Sequence, residues 1–352
     1  MPGKLVDDSV IVSEQKEGSQ LYNKGNYGYP LSGGGVELDL IEATHLLETS
    51  RLEVMYQNNP MTFESLFSYA STVEEDFDIR YIVYRDMRAR GFVVKSEQGD
   101  FDLSVYPRGM SVSNSRPSYL VKSVSERTAF DIEVFLKQVA DPLMKNRELL
   151  YAVVDEEGDI THYVISIAAP HGKVKVHSDT EGHSHGLLVR DRIFIFDPQE
   201  AKSVHENGFF GKMMENVLQL SLIEGCHLMR LDALSVHNVN DGRPIGLDGL
   251  LEFGEKMQDE FGLRLKAFTD LRSKGMLVKT GFKYGTHFRV YEKSPDESHA
   301  RYLVHAVDST HLTMWPEISR AVRLAHGVKK EILFARISVE CVQYLNFRRT
   351  RP

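Results

Sequence analysis

Three short stretches in the last third of the chain carry side chains that can move protons: HFRVYE, YEKSPDESHARYLV and AHGVKK. In HFRVYE, strand alternation predicts that Tyr291 shares the polar face with Arg289, because residues two apart point to the same side. A nearby cation favours the phenolate and makes a tyrosine a better base. The second stretch contains His299, and histidine is a residue type that can hold a proton ready for a leaving oxygen. Taken alone, a strand tyrosine with an exposed hydroxyl and a solvated loop histidine remain the ordinary interpretation.

Two further polar clusters stand out. VVDEEGDITHY (153–163) places four acidic residues on a hairpin-like turn, where a solvated surface is the alternative interpretation: Asp155, Glu156, Glu157 and Asp159. PHGKVKVHSDTEGHSHG (170–186) contains His183 and His185. Two histidines in a stretch rich in Gly, Ser and charge are more typical of a polar linker than of a metal site.

The chain is a tandem repeat. FTDLRSKGMLVKT (268–280) matches YRDMRARGFVVKS (84–96) at five of thirteen positions. ELDLIEATHLL (37–47) matches QLSLIEGCHLM (219–229) at six of eleven. The offset between the copies stays between 182 and 185 residues, so a whole domain pair is duplicated rather than a short motif.

Composition indicates a globular protein with room for several cores. Of the 352 residues, 42% are apolar and 26% are charged. The sequence contains no run of about 18 apolar residues, so no membrane span is predicted. The N-terminus lacks an apolar signal core. Cys226 and Cys341 are expected to be reduced thiols. These features together predict a cytoplasmic location.

Charge is distributed unevenly between the copies, although the net charge is −8. Residues 261–352 hold 17 Lys+Arg against 8 Asp+Glu, whereas residues 77–170 hold 12 against 14. A local basic excess is typical of a surface that binds a polyanion, although a solvated charged surface would look the same.

Each copy is predicted to be α+β, with a small front part followed by a mixed sheet flanked by helices. Helices are expected over 38–48 and 217–229, and further helices should end near Gly91 and Gly275. The predicted subdomains are 1–80 and 81–169 in the first copy, a linker over 170–186, and 187–264 and 265–352 in the second copy.

The second copy resembles the archaeal tRNA-splicing endonucleases. The most specific stretches are LRSKGMLVKTGFKYGTHFRVYEK, HARYLVHAV and VRLAHGVKKEILFA, and the match covers nearly the whole chain except the linker. The resemblance implies a chain of two fused units that forms a homodimer. It also implies cleavage of introns from precursor tRNA at bulge-helix-bulge motifs, without metal or cofactor.

By position in these motifs, the resemblance implies a catalytic set of Tyr291, His299 and Lys330, with Lys329 as the rival of Lys330. Attack by the RNA 2′-hydroxyl would leave a 2′,3′-cyclic phosphate and a 5′-hydroxyl. Family members also hold a flipped base between two arginines. Arg323 matches the first of these, and Arg348 is offered for the second.

The first copy should be inactive. It keeps Tyr106, but Arg116 and Arg147 stand opposite the histidine and the lysine, and arginine cannot serve as a general acid at pH 7. In the family, an acidic loop docks into a basic cleft on a catalytic unit. The turn at 155–159 is therefore predicted to hold the dimer together.

Three other functions were weighed. A non-catalytic RNA-binding scaffold would lack turnover. A metal-dependent nuclease of the restriction type needs clustered carboxylates, and SPDES (294–298) lacks that pattern. A phosphate-binding loop is not indicated, because LSGGGVELD has glycines without the following Lys-Ser/Thr.

Overall fold

The computed structural model describes residues 1–174 and 183–352. The chain divides into two units. Unit 1 holds Met1–Ser166 with Leu312–Ile318 and Arg348–Pro352, and unit 2 holds Ile167–His311 with Ser319–Phe347. No helix in the described ranges is long and apolar enough to cross a membrane.

The front part of unit 1 is a six-stranded sheet with helices. Its elements are β1 (Pro2–Val6), β2 (Ser9–Val12), α1 (Gln15–Ser19), β3 (Tyr29–Pro30), β4 (Val36–Asp39), α2 (Leu40–Glu48), β5 (Glu53–Tyr56), β6 (Asn59–Pro60) and α3 (Phe63–Val73). The strand order is β3-β4-β2-β1-β5-β6. Helix α2 begins at Leu40, because the Asp39 side chain accepts the backbone N–H of Glu42 at 2.7 Å.

The back part of unit 1 supplies five neighbouring strands. Its elements are α4 (Phe77–Ala89), β7 (Val93–Ser96), β8 (Leu103–Tyr106), β9 (Tyr119–Ser125), β10 (Ala129–Asp131), α5 (Ile132–Ala140), β11 (Glu148–Val154) and β12 (Ile160–Ala168). Five of the strands follow the order β12-β11-β9-β8-β7. Helix α4 ends ahead of Gly91, whose φ of +87° is the left-handed conformation expected after a helix.

The front part of unit 2 repeats the first sheet. Its elements are β13 (Ser184–Val189), β14 (Arg192–Ile195), α6 (Pro198–Glu206), β15 (Lys212–Met214), β16 (Val217–Ser221), α7 (Leu222–Arg230), β17 (Leu234–Asn238), β18 (Pro244–Ile245) and α8 (Leu247–Met257). The order β15-β16-β14-β13-β17-β18 reproduces the order in the first copy.

The helix predicted over 217–229 begins five residues late, because 217–221 is strand β16. Ser221 and Glu224 form a capping box: each side chain accepts the backbone N–H of the other, at 3.2 Å and 3.0 Å. This exchange satisfies two amides that a helix start would leave unpaired, so α7 starts at Leu222.

The back part of the second copy contains α9 (Phe261–Ser273), β19 (Leu277–Thr280), β20 (Phe288–Tyr291), β21 (Tyr302–Asp308), β22 (Leu312–Met314), α10 (Trp315–Gly327), β23 (Glu331–Ile337) and β24 (Val342–Thr350). Five strands follow the order β19-β20-β21-β23-β24. Gly275, with φ +72°, follows α9 as predicted. The predicted α+β tandem repeat is therefore confirmed.

Strand β22 belongs to unit 1, where it pairs antiparallel with β10. The next residue, Trp315, is 2% exposed and packs edge-on against Phe130 and stacked against Tyr163. A short stretch of the second copy thus completes the core of unit 1.

Both ends of the predicted linker, 170–186, include residues that form backbone hydrogen bonds. The N–H of Gly172 donates to the carbonyl of Lys274 at 3.0 Å, and the N–H of Lys173 donates to that of Glu292 at 2.8 Å. At the other end, β13 begins at Ser184. Both described ends are therefore held by backbone hydrogen bonds, and the rest of the predicted linker, 175–182, lies outside the described residues.

Both units hold an ion pair with little solvent exposure between the second helix of the front part and the first strand of the back part. In unit 1, the Lys95 ammonium lies 2.6 Å from the Glu42 carboxylate, and both side chains are almost fully buried. In unit 2, the equivalent atoms of Lys279 and Glu224 lie 3.6 Å apart. The duplicated sequence therefore builds the same link between front and back parts twice.

Candidate active site

The candidate catalytic residues lie at the same end of three neighbouring strands. Strand β20 runs antiparallel to β21, and β21 runs parallel to β23. Tyr291 is the last residue of β20, His299 lies three residues before β21, and Lys330 immediately precedes β23. The strand topology therefore brings these three residues, which span 39 positions in the sequence, to the same end of the three strands.

Tyr291 points away from the main core, as the alternation predicted. Phe288 and Val290 belong to the large core of unit 2, whereas Tyr291 forms a separate small cluster with Leu277 and Ala300. The guanidinium carbon of Arg289 lies 5.9 Å from the centre of the tyrosine ring. The face is less open than predicted, because this cluster leaves Tyr291 only 8% exposed.

His299 is exposed, while the next residue, Ala300, is buried against Tyr291. The preceding loop is a compact turn in which the Ser294 carbonyl accepts the N–H groups of Glu297 and Ser298 at 3.0 Å and 3.1 Å. The backbone at His299 is thus held next to the tyrosine cluster, and the residue is open to solvent.

Lys330 follows a sharp reversal of the chain. Helix α10 ends at Gly327, and Lys329 adopts a left-handed φ of +55°. The N–H of Lys330 then donates to the Ala325 carbonyl at 2.9 Å. The ammonium of Lys330 lies 5.8 Å from the centre of the Tyr284 ring, whereas Lys329 is exposed. Of the two rival lysines, Lys330 is therefore the one directed toward the loop that precedes β20.

An arginine ties the three strand ends together. Arg301 donates from Nη1 to Glu292 at 2.6 Å and from Nε to Glu331 at 2.9 Å. Glu292 follows Tyr291, Arg301 follows His299 by two positions, and Glu331 follows Lys330. One guanidinium thus fixes the backbone beside all three candidates, a contact that the sequence analysis missed.

The surroundings are strongly cationic. Burial alone would raise the pKa of Tyr284, but a hydrogen bond and the charge from Lys283, with the charges of Lys330 and Arg289, outweigh burial and hold this pKa below its usual value. The alternation of aromatic and basic residues in GFKYG (281–285) was the available sequence signal for this loop.

The two arginines expected to hold a flipped base lie in different units. Arg323 is exposed on α10, in unit 2. Arg348 lies in unit 1, where it donates to the carboxylate of Glu148 at 3.0 Å. The structure thus gives Arg348 a carboxylate partner that the sequence analysis did not foresee.

The first copy has the same topology with different chemistry. Tyr106 ends β8, and burial and then Glu97 raise its pKa, although Arg147 opposes them. Arg147 precedes β11 and donates to the carbonyl of Leu143. Arg116 is exposed.

The acidic turn at 155–159 joins β11 to β12, as predicted. Its first carboxylate, that of Asp155, accepts the N–H groups of Glu157 and Asp159 at 3.0 Å and 2.9 Å and so shapes the turn. Glu156 pairs with exposed Arg127. Glu157 and Asp159 are exposed and form no ion pair with any residue that the structure describes.

Unit 2 contains a cleft of about 500 Å³ between its front sheet and β19–β20. Two lining acids, Asp191 and Glu224, are paired with Arg192 and Lys279. Three further lining cations have no carboxylate within 4.0 Å in the described part of the chain: Lys212, Arg264 and Arg289. The cleft therefore carries uncompensated positive charge.

A metal site is not apparent in residues 1–174 and 183–352, where no group of three or more His, Cys, Asp or Glu side chains is arranged to hold an ion. Of the two histidines considered as metal ligands from the sequence, His185 lies 3.0 Å from the carboxylate of Glu200, and its ring packs against His183.

Comparison with known proteins gives the family. The N-terminal domain of tRNA intron endonuclease matches residues 1–67 and 184–251, and its catalytic C-terminal domain matches 77–162 and 261–344. Similar proteins named tRNA-splicing endonuclease occur in Methanococcoides burtonii (35% identical), Methanosarcina acetivorans (34%) and Halobacterium salinarum (30%), with 100% of both chains covered in each case. Because each domain model matches once in each copy and the matches span most of the sequence, the chain belongs to the tRNA intron endonuclease family, a family of endoribonucleases.

Proposed function

We propose that this chain excises introns from precursor tRNA by cutting bulge-helix-bulge motifs through attack of the RNA 2′-hydroxyl. Family membership supports tRNA intron excision. The observation that carries the mechanism is the placement of Tyr291, His299 and Lys330 at one end of three adjacent strands.

The three side chains divide the work of the reaction. Tyr291 accepts the proton of the 2′-hydroxyl, whose oxygen then forms a bond to phosphorus. Lys330 stabilises the extra negative charge on the phosphoryl oxygens. His299 donates a proton to the 5′-oxygen as the bond from phosphorus to that oxygen breaks. The products are a 2′,3′-cyclic phosphate and a 5′-hydroxyl, and no metal takes part in any step.

The local geometry is consistent with these roles. The ring of Tyr291 is held by apolar neighbours, and the guanidinium carbon of Arg289 lies 5.9 Å from its centre. His299 is exposed, so it can exchange protons with solvent between turnovers. Arg301 holds the strand ends so that the three groups are positioned before RNA binds.

Cleavage of a bulge-helix-bulge RNA in excess EDTA, followed by analysis of the product ends, tests the proposal. We expect full activity, with a cyclic phosphate on one fragment and a 5′-hydroxyl on the other. Activity that EDTA abolishes and Mg²⁺ restores would support a metal-dependent nuclease instead. RNA binding without any cleavage would support a scaffold. The cytoplasmic location remains a prediction.

Recognition of the bulge is proposed to involve Arg323 and Arg348 stacking on a splayed base. Arg348 would then have to release Glu148 or stack while paired to it. Glu148→Gln separates these possibilities: it should leave RNA affinity unchanged or raised if the pair is broken on binding, and lower it if the pair orients the guanidinium.

Assembly is proposed to be a homodimer, because an intron has two ends and the chain carries one candidate site. The acidic turn at 155–159 of one chain would dock into the basic cleft of unit 2 of the other. Charge complementarity supports this match: the turn exposes Glu157 and Asp159, and the cleft presents Lys212, Arg264 and Arg289 without carboxylate partners among the described residues. A two-fold axis would give two equivalent sites.

A further inference from the structure

The loop between β19 and β20 presents an aromatic ring to solvent. The Phe282 side chain is 88% exposed, whereas the next most exposed phenylalanine in the described ranges, Phe196, is 54% exposed. A single exposed apolar residue is common on protein surfaces and carries no argument by itself. The neighbours of Phe282 are what make it informative.

The backbone that carries this ring is ordered. Phe282–Tyr284 forms one 3-10 turn, in which the N–H of Tyr284 donates to the Gly281 carbonyl at 2.8 Å. Thr286, only 7% exposed, donates to the carbonyl of Phe288 at 3.2 Å. A Cβ on Gly281 would lie 2.3 Å from the Thr286 hydroxyl, so this close approach requires glycine. The exposed ring is therefore mounted on an ordered backbone.

The loop also adjoins the proposed catalytic lysine. The ammonium groups of Lys283 and Lys330 lie 5.0 Å and 5.8 Å from the centre of the Tyr284 ring. Neither lysine has a carboxylate within 4.0 Å among the residues that the structure describes. Two cations without carboxylate partners among the described residues thus flank Tyr284, two positions after the exposed Phe282, and aromatic rings with nearby cations are the chemistry that binds single-stranded nucleic acid.

The first copy provides an internal comparison. Its loop between β7 and β8 contains three acids, Glu97, Asp100 and Asp102, and its one aromatic residue, Phe101, is 2% exposed. The same fold therefore carries the exposed ring and the lysines without carboxylate partners only in the copy with the candidate catalytic residues. If the fold itself required these features, both copies would have them.

We propose that Phe282 is a stacking platform for an unpaired nucleobase of the RNA substrate and that Lys283 contacts a phosphate of the same strand. The inference rests on the proposed function, because Lys330 marks the loop as part of the substrate site. Stacking on an aromatic face tolerates any base and adds affinity for unpaired RNA without reading its sequence.

Binding to two RNAs tests this inference. One is a bulge-helix-bulge RNA made uncleavable by 2′-deoxy substitution at both cut positions, with 2-aminopurine in a bulge. The other is an unstructured oligoribonucleotide. Phe282→Ala should weaken binding to both about 5- to 100-fold, and Phe282→Trp should retain it. Stacking on Phe282 should change the 2-aminopurine fluorescence when wild type binds. Phe282→Leu, which is apolar but cannot stack, should bind as weakly as Phe282→Ala and should not produce this change. Phe196→Ala is the matched control and should bind like wild type.

The outcomes separate the two proposals. Wild-type affinity of Phe282→Ala for both RNAs would overturn the stacking platform. So would a loss of affinity that accompanies dissociation of the protein in sedimentation, because Phe282 would then be a protein contact. If the unmodified RNA is not cleaved but oligoribonucleotide binding still depends on Phe282, the proposed function fails and the stacking platform stands.

Discussion

Tyr291, His299 and Lys330 perform three different tasks in the proposed reaction, so each should be needed separately. Tyr291→Phe, His299→Ala and Lys330→Ala should each lower single-turnover cleavage by at least about 100-fold. RNA affinity and thermal unfolding should stay near wild type, because His299 is exposed, Lys330 is partly exposed, and phenylalanine preserves the buried ring. Tyr106→Phe in the first copy is the control and should be nearly silent. A wild-type rate in any one of the three variants would remove that residue from the mechanism.

Arg301 is a positioning residue, since it bridges the glutamates that follow Tyr291 and Lys330. Arg301→Met should lower kcat about 10-fold, because small displacements of catalytic groups are costly, with KM nearly unchanged. Arg301→Lys should recover little, because one ammonium cannot reproduce the forked guanidinium. Arg243→Met, which alters an exposed pair in the same unit, is the control. An unchanged kcat at unchanged stability would show that the bridge is only a surface ion pair.

For individual residues, the sequence predicted which face of a strand a side chain lies on but only part of what surrounds that side chain. Alternation correctly separated Tyr291 from Phe288 and Val290. It could not show that Leu277 and Ala300 close over the ring, because Leu277 lies on another strand and Ala300 beyond a loop. Nor could composition show that Asp155 is occupied by backbone amides within its own turn.

Among the secondary-structure elements, the buried pairs join α2 to β7 in unit 1 and α7 to β19 in unit 2. Lys95→Met should destabilise the fold by about 3–5 kcal/mol, because it leaves Glu42, whose pKa burial already raises to about 8, buried without its partner. Lys279→Met should cost less, since its pair is longer and less buried. Chemical denaturation measures both effects. Lys256→Met breaks the exposed Glu252 pair and should change stability by less than about 1 kcal/mol. Equal effects in all three variants would contradict this argument.

Periodicity predicted most of the strands and helices because each buries one face, but it failed at boundaries and at long-range pairs. Val217–Ser221 shares apolar spacing with the following helix, and only the Ser221–Glu224 cap marks the change. The pairing of β10 with β22 joins residues more than 180 positions apart. No local sequence pattern predicts this pairing, because it depends on the packing of Trp315 against aromatic residues that are distant in the sequence.

For the molecule as a whole, acid should be destabilising. Burial lowers the pKa of five histidines: to about 4 for His45, His162 and His227, to about 3 for His287, and below its usual value for His305. Nearby arginines add to the effect at His45, His227 and His287. These folded-state values lie below the unfolded value of about 6.5, so the unfolded chain binds more protons as pH falls from 6.5 toward 4. Each histidine therefore contributes stability that is full above pH 6.5 and lost below it, by up to about 1.4 kcal/mol per pH unit, and Glu42, whose pKa burial raises to about 8, offsets part of this loss.

Unfolding free energies measured between pH 7 and pH 5 test this expectation. His162→Asn should flatten the pH dependence, because it removes one group that takes up a proton on unfolding. His326→Asn, at an exposed position, should leave the slope unchanged. A wild-type stability that does not fall between pH 6.5 and pH 5 would contradict the assignment of neutral buried histidines.

Dimerisation is the property that depends on the whole charge distribution. Asp155→Asn, Glu156→Gln, Glu157→Gln and Asp159→Asn together remove the negative charge of the turn. The turn should keep its shape, because an amide oxygen can still accept the two backbone N–H groups that Asp155 binds. This variant should dissociate at concentrations where the wild type is dimeric and should lose cleavage in parallel. Raised salt should have the same effect on the wild type, because screening weakens exposed charges beyond about 8–10 Å.

Charge reversal in the cleft gives the complementary test. Lys212→Glu should weaken the dimer, and its combination with Glu157→Lys should restore part of the loss, since the reversed charges again attract. Glu64→Gln with Glu75→Gln neutralises two exposed acids elsewhere in unit 1 and should leave the dimer intact. Sedimentation at low protein concentration measures each case. If the neutralised turn stays dimeric and cuts both bulges at the wild-type rate, the turn is a solvated loop, and the first copy must be retained for another reason.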